Sequence, residues 1–205
     1  MRQAGVVALL VMLAAAAAGA EDRTFEVDPS ASRVRIHLGR SGLLRFLGHD
    51  HEIDAPVAEG RVELADGDPS RSSVWLRFVA SRLAVVAGTE PAEDVAQVEA
   101  RMRGPDVLDV DRHPVIVFSS SSVTGSFLEP GRHRLLVRGV LEVKGRPVPV
   151  AIALDARLAG DVLEARGDVE LRLRDLGIEP PSVAGVVKVA DRFRLAFTIV
   201  ARPAG

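Results

Sequence analysis

Apolar and polar residues alternate one for one along three separate stretches of this chain, and that period of two restricts its fold more than any other feature. Arg33-Val34-Arg35-Ile36-His37-Leu38 puts Val34, Ile36 and Leu38 on one face and three polar side chains on the other. Asp168 to Arg174 does so without a break, with Val169, Leu171 and Leu173 on the apolar side, and Arg192 to Ile199 repeats it with Phe193, Leu195 and Phe197. Successive side chains point to opposite faces only in an extended strand, whereas a helix would space its apolar residues by three and four. One dry face and one wet face is antiparallel geometry, because parallel sheets are buried on both sides. Weaker strands are expected at Ile53–Ala65, Ser73–Ser81, Val115–Val123, Leu135–Val143 and Val148–Leu158, with Pro149 marking an edge or a bulge in the last. Asp66-Gly67-Asp68-Pro69, Glu129-Pro130-Gly131, Lys144-Gly145-Arg146-Pro147 and Ala159-Gly160-Asp161 supply the turns between them.

One segment departs from this pattern. Glu90 to Arg103 carries Val95, Val98 and Met102 at helical spacing, with Thr89 as N-cap, Pro91 in the first turn and Gly104-Pro105 at the end. The expected fold is all-β: about eight antiparallel strands in hairpin order, with one inserted amphipathic helix. Eight such strands close into a barrel that is packed solid or holds a small ligand, and a two-sheet sandwich has the same pattern.

Composition narrows the chemistry. The chain has 205 residues, 47% hydrophobic and 26% charged, with a formal charge of −2. It lacks the basic excess that holds proteins on nucleic acid. It has no cysteine, which excludes a disulfide scaffold, a thiol nucleophile, an iron–sulfur cluster and a Cys-ligated zinc. Residues 1–20 read as a secretory signal: Arg2, an uncharged run from Val6 to Ala18, then Ala18-Gly19-Ala20 as the cleavage site. The run is short of the roughly 20 apolar residues of a bilayer span. No second such run follows, so no membrane span is expected in the mature chain. Residues 21–205 are expected to form one exported domain, periplasmic or secreted.

Gly48-His49-Asp50-His51 is the densest group of functional side chains. On a strand His49 and His51 share a face, inward if Ile53 is inward. Two imidazoles two residues apart can begin a zinc or copper site, but such a site needs a third ligand. The spacing of His37, His113 and His133 supplies none, so hydrogen bonding to a turn or to a bound polar head group is the favoured role. A periplasmic metal-binding or redox-accessory protein is the alternative. Ser119 to Ser122 has no Gly-x-Ser-x-Gly setting and reads as strand. The arginines are spread over all polar faces. Gly139 and Gly145 fit a hairpin rather than a phosphate loop. No general acid and base are placed together, so no enzymatic role is expected. The apolar faces, with Val137, Leu141, Leu171, Leu173, Phe193, Leu195 and Phe197 as candidate ligand contacts, fit a filled core and a ligand-holding interior equally.

Four segments resemble one family. Phe25-Glu26-Val27-Asp28-Pro29-Ser30-Ala31-Ser32-Arg33-Val34 is similar to the opening strand of the YceI-like, polyisoprenoid-binding family, although Ala31 stands where relatives often have a histidine. Gly48-His49-Asp50-His51 resembles a segment of one branch of it. Met102 to Val110 leading to His113-Pro114-Val115 resembles its helix-to-strand passage, and Val137 to Val148 its Gly-centred hairpin. The resemblance implies a lipocalin-like barrel that binds an amphiphilic isoprenoid, a polyprenyl phosphate or a quinone, in an apolar tunnel in the periplasm. The polar head would sit near His49, His51 or an arginine. It implies no other cofactor and no nucleic-acid partner, and leaves the oligomeric state open.

Overall fold

The structure is a computed structural model that describes residues 22–41, 51–65, 68–89, 91–129, 131–183 and 187–205. Its strands are β1 (Asp22–Val27), β2 (Arg33–Ser41), β3 (His51–Asp54), β4 (Val57–Ala65), β5 (Ser73–Val79), β6 (Ala84–Val85), β7 (Val115–Glu129), β8 (Arg132–Val143), β9 (Arg146–Ala159), β10 (Val162–Arg172), β11 (Ser182–Val183) and β12 (Val187–Pro203). The helix α1 (Ala92–Arg103) lies between β6 and β7. All strand pairings are antiparallel, and the ring β1-β4-β5-β7-β8-β9-β10-β12 closes on itself through Phe25↔Pro203 and Val27↔Ala201. Of the barrel and the sandwich that the alternation leaves open, the barrel, which the family resemblance implies, is therefore the fold, and the sandwich is excluded.

The barrel has eight strands because three of them are bent. β2 pairs with β12 and β3, and β3 with β6, extending the ladders of β1, β4 and β5 past a kink in each. The first kink, Asp28 to Ser32, is held by polar groups chosen for it. The Asp28 carboxylate accepts from the Ser30 hydroxyl at 2.6 Å and from the Ser30 and Ala31 amides at 3.0 and 3.2 Å, an Asx turn. The buried Ser32 hydroxyl accepts from the Val200 amide at 3.0 Å and donates to the Val200 carbonyl at 3.3 Å. It thereby keeps β12 satisfied where the ladder is interrupted. The second kink falls at Ala55-Pro56, inside what the sequence presents as one strand from Ile53 to Ala65.

Local chemistry sets the turns. Lys144 (φ 54°) and Gly145 (φ 67°) both take the left-handed region, as a two-residue hairpin loop matching the strand twist requires. Lys144 is held in this conformation by its ammonium group, which donates to the Pro105 carbonyl at 2.6 Å. Gly139 lies within β8, where a Cβ would stand 2.4 Å from the Ser119 carbonyl oxygen and 2.8 Å from the Phe118 ring.

The helix is present, but Pro91 rather than Thr89 is its N-cap. The Thr89 hydroxyl donates back to the Val86 carbonyl at 2.8 Å, so the turn before the helix has taken the capping group. No α1 residue is fully buried. The insertion is anchored instead by buried Leu108 just beyond it and by Glu99, whose carboxylate accepts from the Val85 amide at 3.0 Å on the edge of β6.

The Asp28 carboxyl is lowered from 3.8 to about 2, first by the Ser30 hydroxyl and then by the Arg202 guanidinium. A depressed carboxyl contributes stability that is complete above its unfolded value and is lost as pH falls through the folded one. Wild-type protein is therefore expected to lose melting temperature between pH 3.8 and about 2. Asp28→Asn is expected to show a shallower loss over that window, as thermal unfolding across the acid range will register.

Candidate functional site

The inward side chains of the eight strands enclose a cavity of about 140 Å³, and every atom exposed on its wall is apolar. On β12 the wall runs from Leu195 through Phe197 and Ile199 to Ala201, and on β10 from Leu163 to Leu171. Eight residues at about 3.3 Å each, on strands tilted about 40°, make the cavity roughly 20 Å long. It is elongated, following the barrel axis. The polar lining residue, Ser72, uses its hydroxyl to accept from the Ala65 amide at 3.1 Å.

The candidate contacts fall into two groups. Val137, Leu141, Leu171, Leu195 and Phe197 line the cavity, together with Val169. Leu173 and Phe193 share their parity and are buried core residues, 7% and 5% exposed, but neither lines the cavity, although Phe193 lies opposite the wall residue Leu171 in the β10–β12 register. Fully buried Phe25, opposite Pro203, packs near one end. Alternation tells inward from outward, whereas depth along the axis depends on register between strands.

The sequence reading missed most of the opposite wall. Val74, Leu76 and Phe78 of β5 and Val150, Ile152 and Leu154 of β9 all line the cavity. The signal was present at period two. It was hidden on β9 because the outward positions hold Pro149, Ala151 and Ala153 instead of charges, and blurred on β5 by Trp75, which leaves Arg77 as the one outward charge among them.

His49 lies outside the described residues, and of His51 only the backbone is described, in β3 opposite Leu38. His37 pairs with Glu52 at 3.4 Å on the outer face, while His133 is buried. Among the described residues no three His, Asp or Glu side chains come together as a metal would require. Ser120 accepts from the Val74 amide at 2.8 Å, bridging β7 and β5 beside a bulge, so the serine run acts as strand.

The outer faces are ionic. Arg77 meets Glu59 and Arg192 meets Glu170 at 2.8 Å, and Arg194 meets Asp168 and Arg134 meets Asp155 at 3.1 Å. These exposed cross-strand pairs contribute little stability each. Their consequence is that many arginines are spent on neighbouring carboxylates rather than gathered into an anion-binding patch. Among the described residues no helix is long and apolar enough to cross a membrane.

Comparison with known proteins gives a family and a fold. The YceI-like domain family matches residues 25–201. Among solved structures the chain is similar to BcnA of Burkholderia cenocepacia, with a TM-score of 0.65 and 15% identity over 85% of this chain and 98% of that one. It is also similar to a polyisoprenoid binding domain from Saccharophagus degradans implicated in plant cell wall breakdown, with a TM-score of 0.62 and 12% identity over 88% and 98%. At these identities the likeness is one of fold. A formamidopyrimidine-DNA glycosylase of Shewanella baltica is 31% identical over 142 residues, covering 61% of this chain and 52% of that protein. The chain thus spans about half the length of the curated relatives it matches.

The two phenylalanines of β12 separate wall from core. Phe193→Ala, in packed surroundings, is expected to cost about 3–5 kcal/mol. Phe197→Ala, whose ring already borders open space, is expected to cost clearly less in protein stripped of lipid. Chemical denaturation of both variants checks the order.

Proposed function

The chain belongs to the YceI-like domain family, and from that membership we propose that its barrel binds an amphiphilic lipid with an isoprenoid tail, such as a polyprenyl phosphate or a quinone. The observation that carries this reading is the cavity: long, narrow and without a polar atom on its wall. Water in such a space finds no hydrogen-bond partners, whereas an apolar tail gains about 25 cal/mol for each Å² it withdraws from solvent. No charge pairing is required, and the wall offers none. The polyisoprenoid binding domain that shares the fold supports the same class of ligand.

The role proposed is one of sequestration or carriage, not catalysis. A tail of this kind is insoluble, and moving it through water requires a dry sleeve that a closed barrel supplies. The glycosylase match does not alter this reading. The net charge is −2, and many of the outer arginines are matched by carboxylates across the strands, whereas duplex binding relies on massed cationic contacts. The periplasm is the proposed location, reached after removal of residues 1–20.

Protein purified from its own membranes and weighed by native mass spectrometry is expected to carry a lipid-sized adduct. Stoichiometric zinc or copper instead would favour the His49/His51 metal reading. Delipidated protein mixed with undecaprenyl phosphate or a ubiquinone is expected to melt higher, by about 3 kcal/mol of added stability at a hundredfold excess over Kd. No shift with either lipid would overturn the proposal. Sequencing of exported protein is expected to begin at Glu21, while an intact Met1 in the membrane fraction would indicate an anchor.

A further inference from the structure

Two neighbouring strands of the barrel part company halfway along. β9 and β10 are paired from Ala159↔Val162 to Leu154↔Gly167, and their register goes no further. Yet β9 remains paired to β8 as far as Arg146↔Val143, and β10 to β12 as far as Arg172↔Arg192. Arg146–Ala153 of one strand and Asp168–Arg172 of the other are thus adjacent edges without a ladder between them. The prolines of β9 do not account for where the ladder stops: continued, the register would set Ala153 opposite Asp168 and Ala151 opposite Glu170, and Pro149, which lacks an N–H, only at the far end opposite Arg172. The β8–β9 register runs past Pro147 and Pro149 uninterrupted.

The slot is bounded and has an apolar floor. At its lower sill the strands are in close contact: a Cβ on Gly167 would stand 2.7 Å from the Ala153 carbonyl oxygen and 3.0 Å from the Leu154 Cβ. At its upper end the turn from Leu173 to Ile178 folds back, so that a Cβ on Gly177 would stand 3.2 Å from the Arg146 side chain. Between these limits the inward residues of the two edges, Val150 and Ile152 against Val169 and Leu171, are cavity wall. The β9 rim is exposed and uncharged, with Pro147, Pro149, Ala151 and Ala153. On the β10 rim Asp168 and Glu170 are engaged by Arg194 and Arg192 of β12, on the side away from the slot. Past one end of the cavity, by contrast, lies the buried ring of Phe25, opposite Pro203 and one inward step beyond the wall residue Ala201.

We propose that the barrel is loaded through its side, with the tail of the amphiphile passing between β9 and β10 into the cavity. This rests on the lipid-binding reading above and adds the route. A tail inserted sideways crosses one layer of backbone beside the uncharged Pro149, Ala151 and Ala153 of β9, and need not displace the Phe25 ring.

The absence of cysteine permits a direct test. Ala151→Cys with Glu170→Cys places one thiol on each rim, to be bridged by a short bis-maleimide. Arg157→Cys with Glu164→Cys, register partners in the paired half, is the control. The probe is fluorophore-tagged geranylgeranyl phosphate, and the readouts are uptake rate and final occupancy. Bridging the slot is expected to slow uptake about tenfold or more with final occupancy retained, as for a blocked gate, while the control bridge leaves the rate unchanged. Equal uptake rates with and without the bridge would overturn the side route and leave the cavity reading intact. No uptake by the unbridged protein would overturn both.

Discussion

The architecture depends on the closing ladder between the two ends of the described chain. β12 pairs with β10 on one side and with β1 and β2 on the other, so one strand joins last to first and removes both sheet edges. Once eight strands close, the circumference is set, and whether the interior is solid is decided by side-chain length. The wall here is mainly valine, leucine and alanine, with Phe78, Phe118 and Phe197 as its aromatics. Those side chains do not all reach the axis. The buried ring of Phe25 lies past one end of the hollow part.

How much of this was legible varies by strand. β2, β10 and β12 could be assigned face by face because charges occupy their outward positions. β5 and β9 could not, because Trp75, Pro149, Ala151 and Ala153 present apolar groups to solvent and blur the contrast. The kinks at Asp28–Ser32 and Ala55-Pro56 turn single expected strands into pairs, since a barrel wall must curve and a bent strand needs its freed amides answered locally. Pro149 was read as an edge or a bulge, and it lies where β9 has no partner on β10, an edge inside a closed barrel. Depth was not legible. Parity put Leu173 and Phe193 with Leu171 and Leu195, although only the latter two line the cavity. Thr89 was assigned to the helix cap, but its hydroxyl serves the preceding turn.

Inside and outside divide the work. Outer faces carry cross-strand Arg–carboxylate pairs that leave little unmatched charge at the positions they occupy, while inner faces hold a surface with no polar exposure. Such an interior favours retention of an apolar chain and raises the question of access. The parting of β9 and β10 answers it without disturbing the ladders on either side.

The central claim, that the tail of the ligand lies inside the barrel, is tested most directly by methyl NMR. Protein labelled at Leu and Val methyls is titrated with an isoprenoid phosphate carrying a nitroxide on its tail. Paramagnetic broadening is expected at Leu171, Leu195, Val137 and Ile152-adjacent Val150, with the methyl groups of exposed Leu128 and Val140 left sharp. Broadening confined to the exposed methyls, with the cavity resonances unchanged, would contradict it.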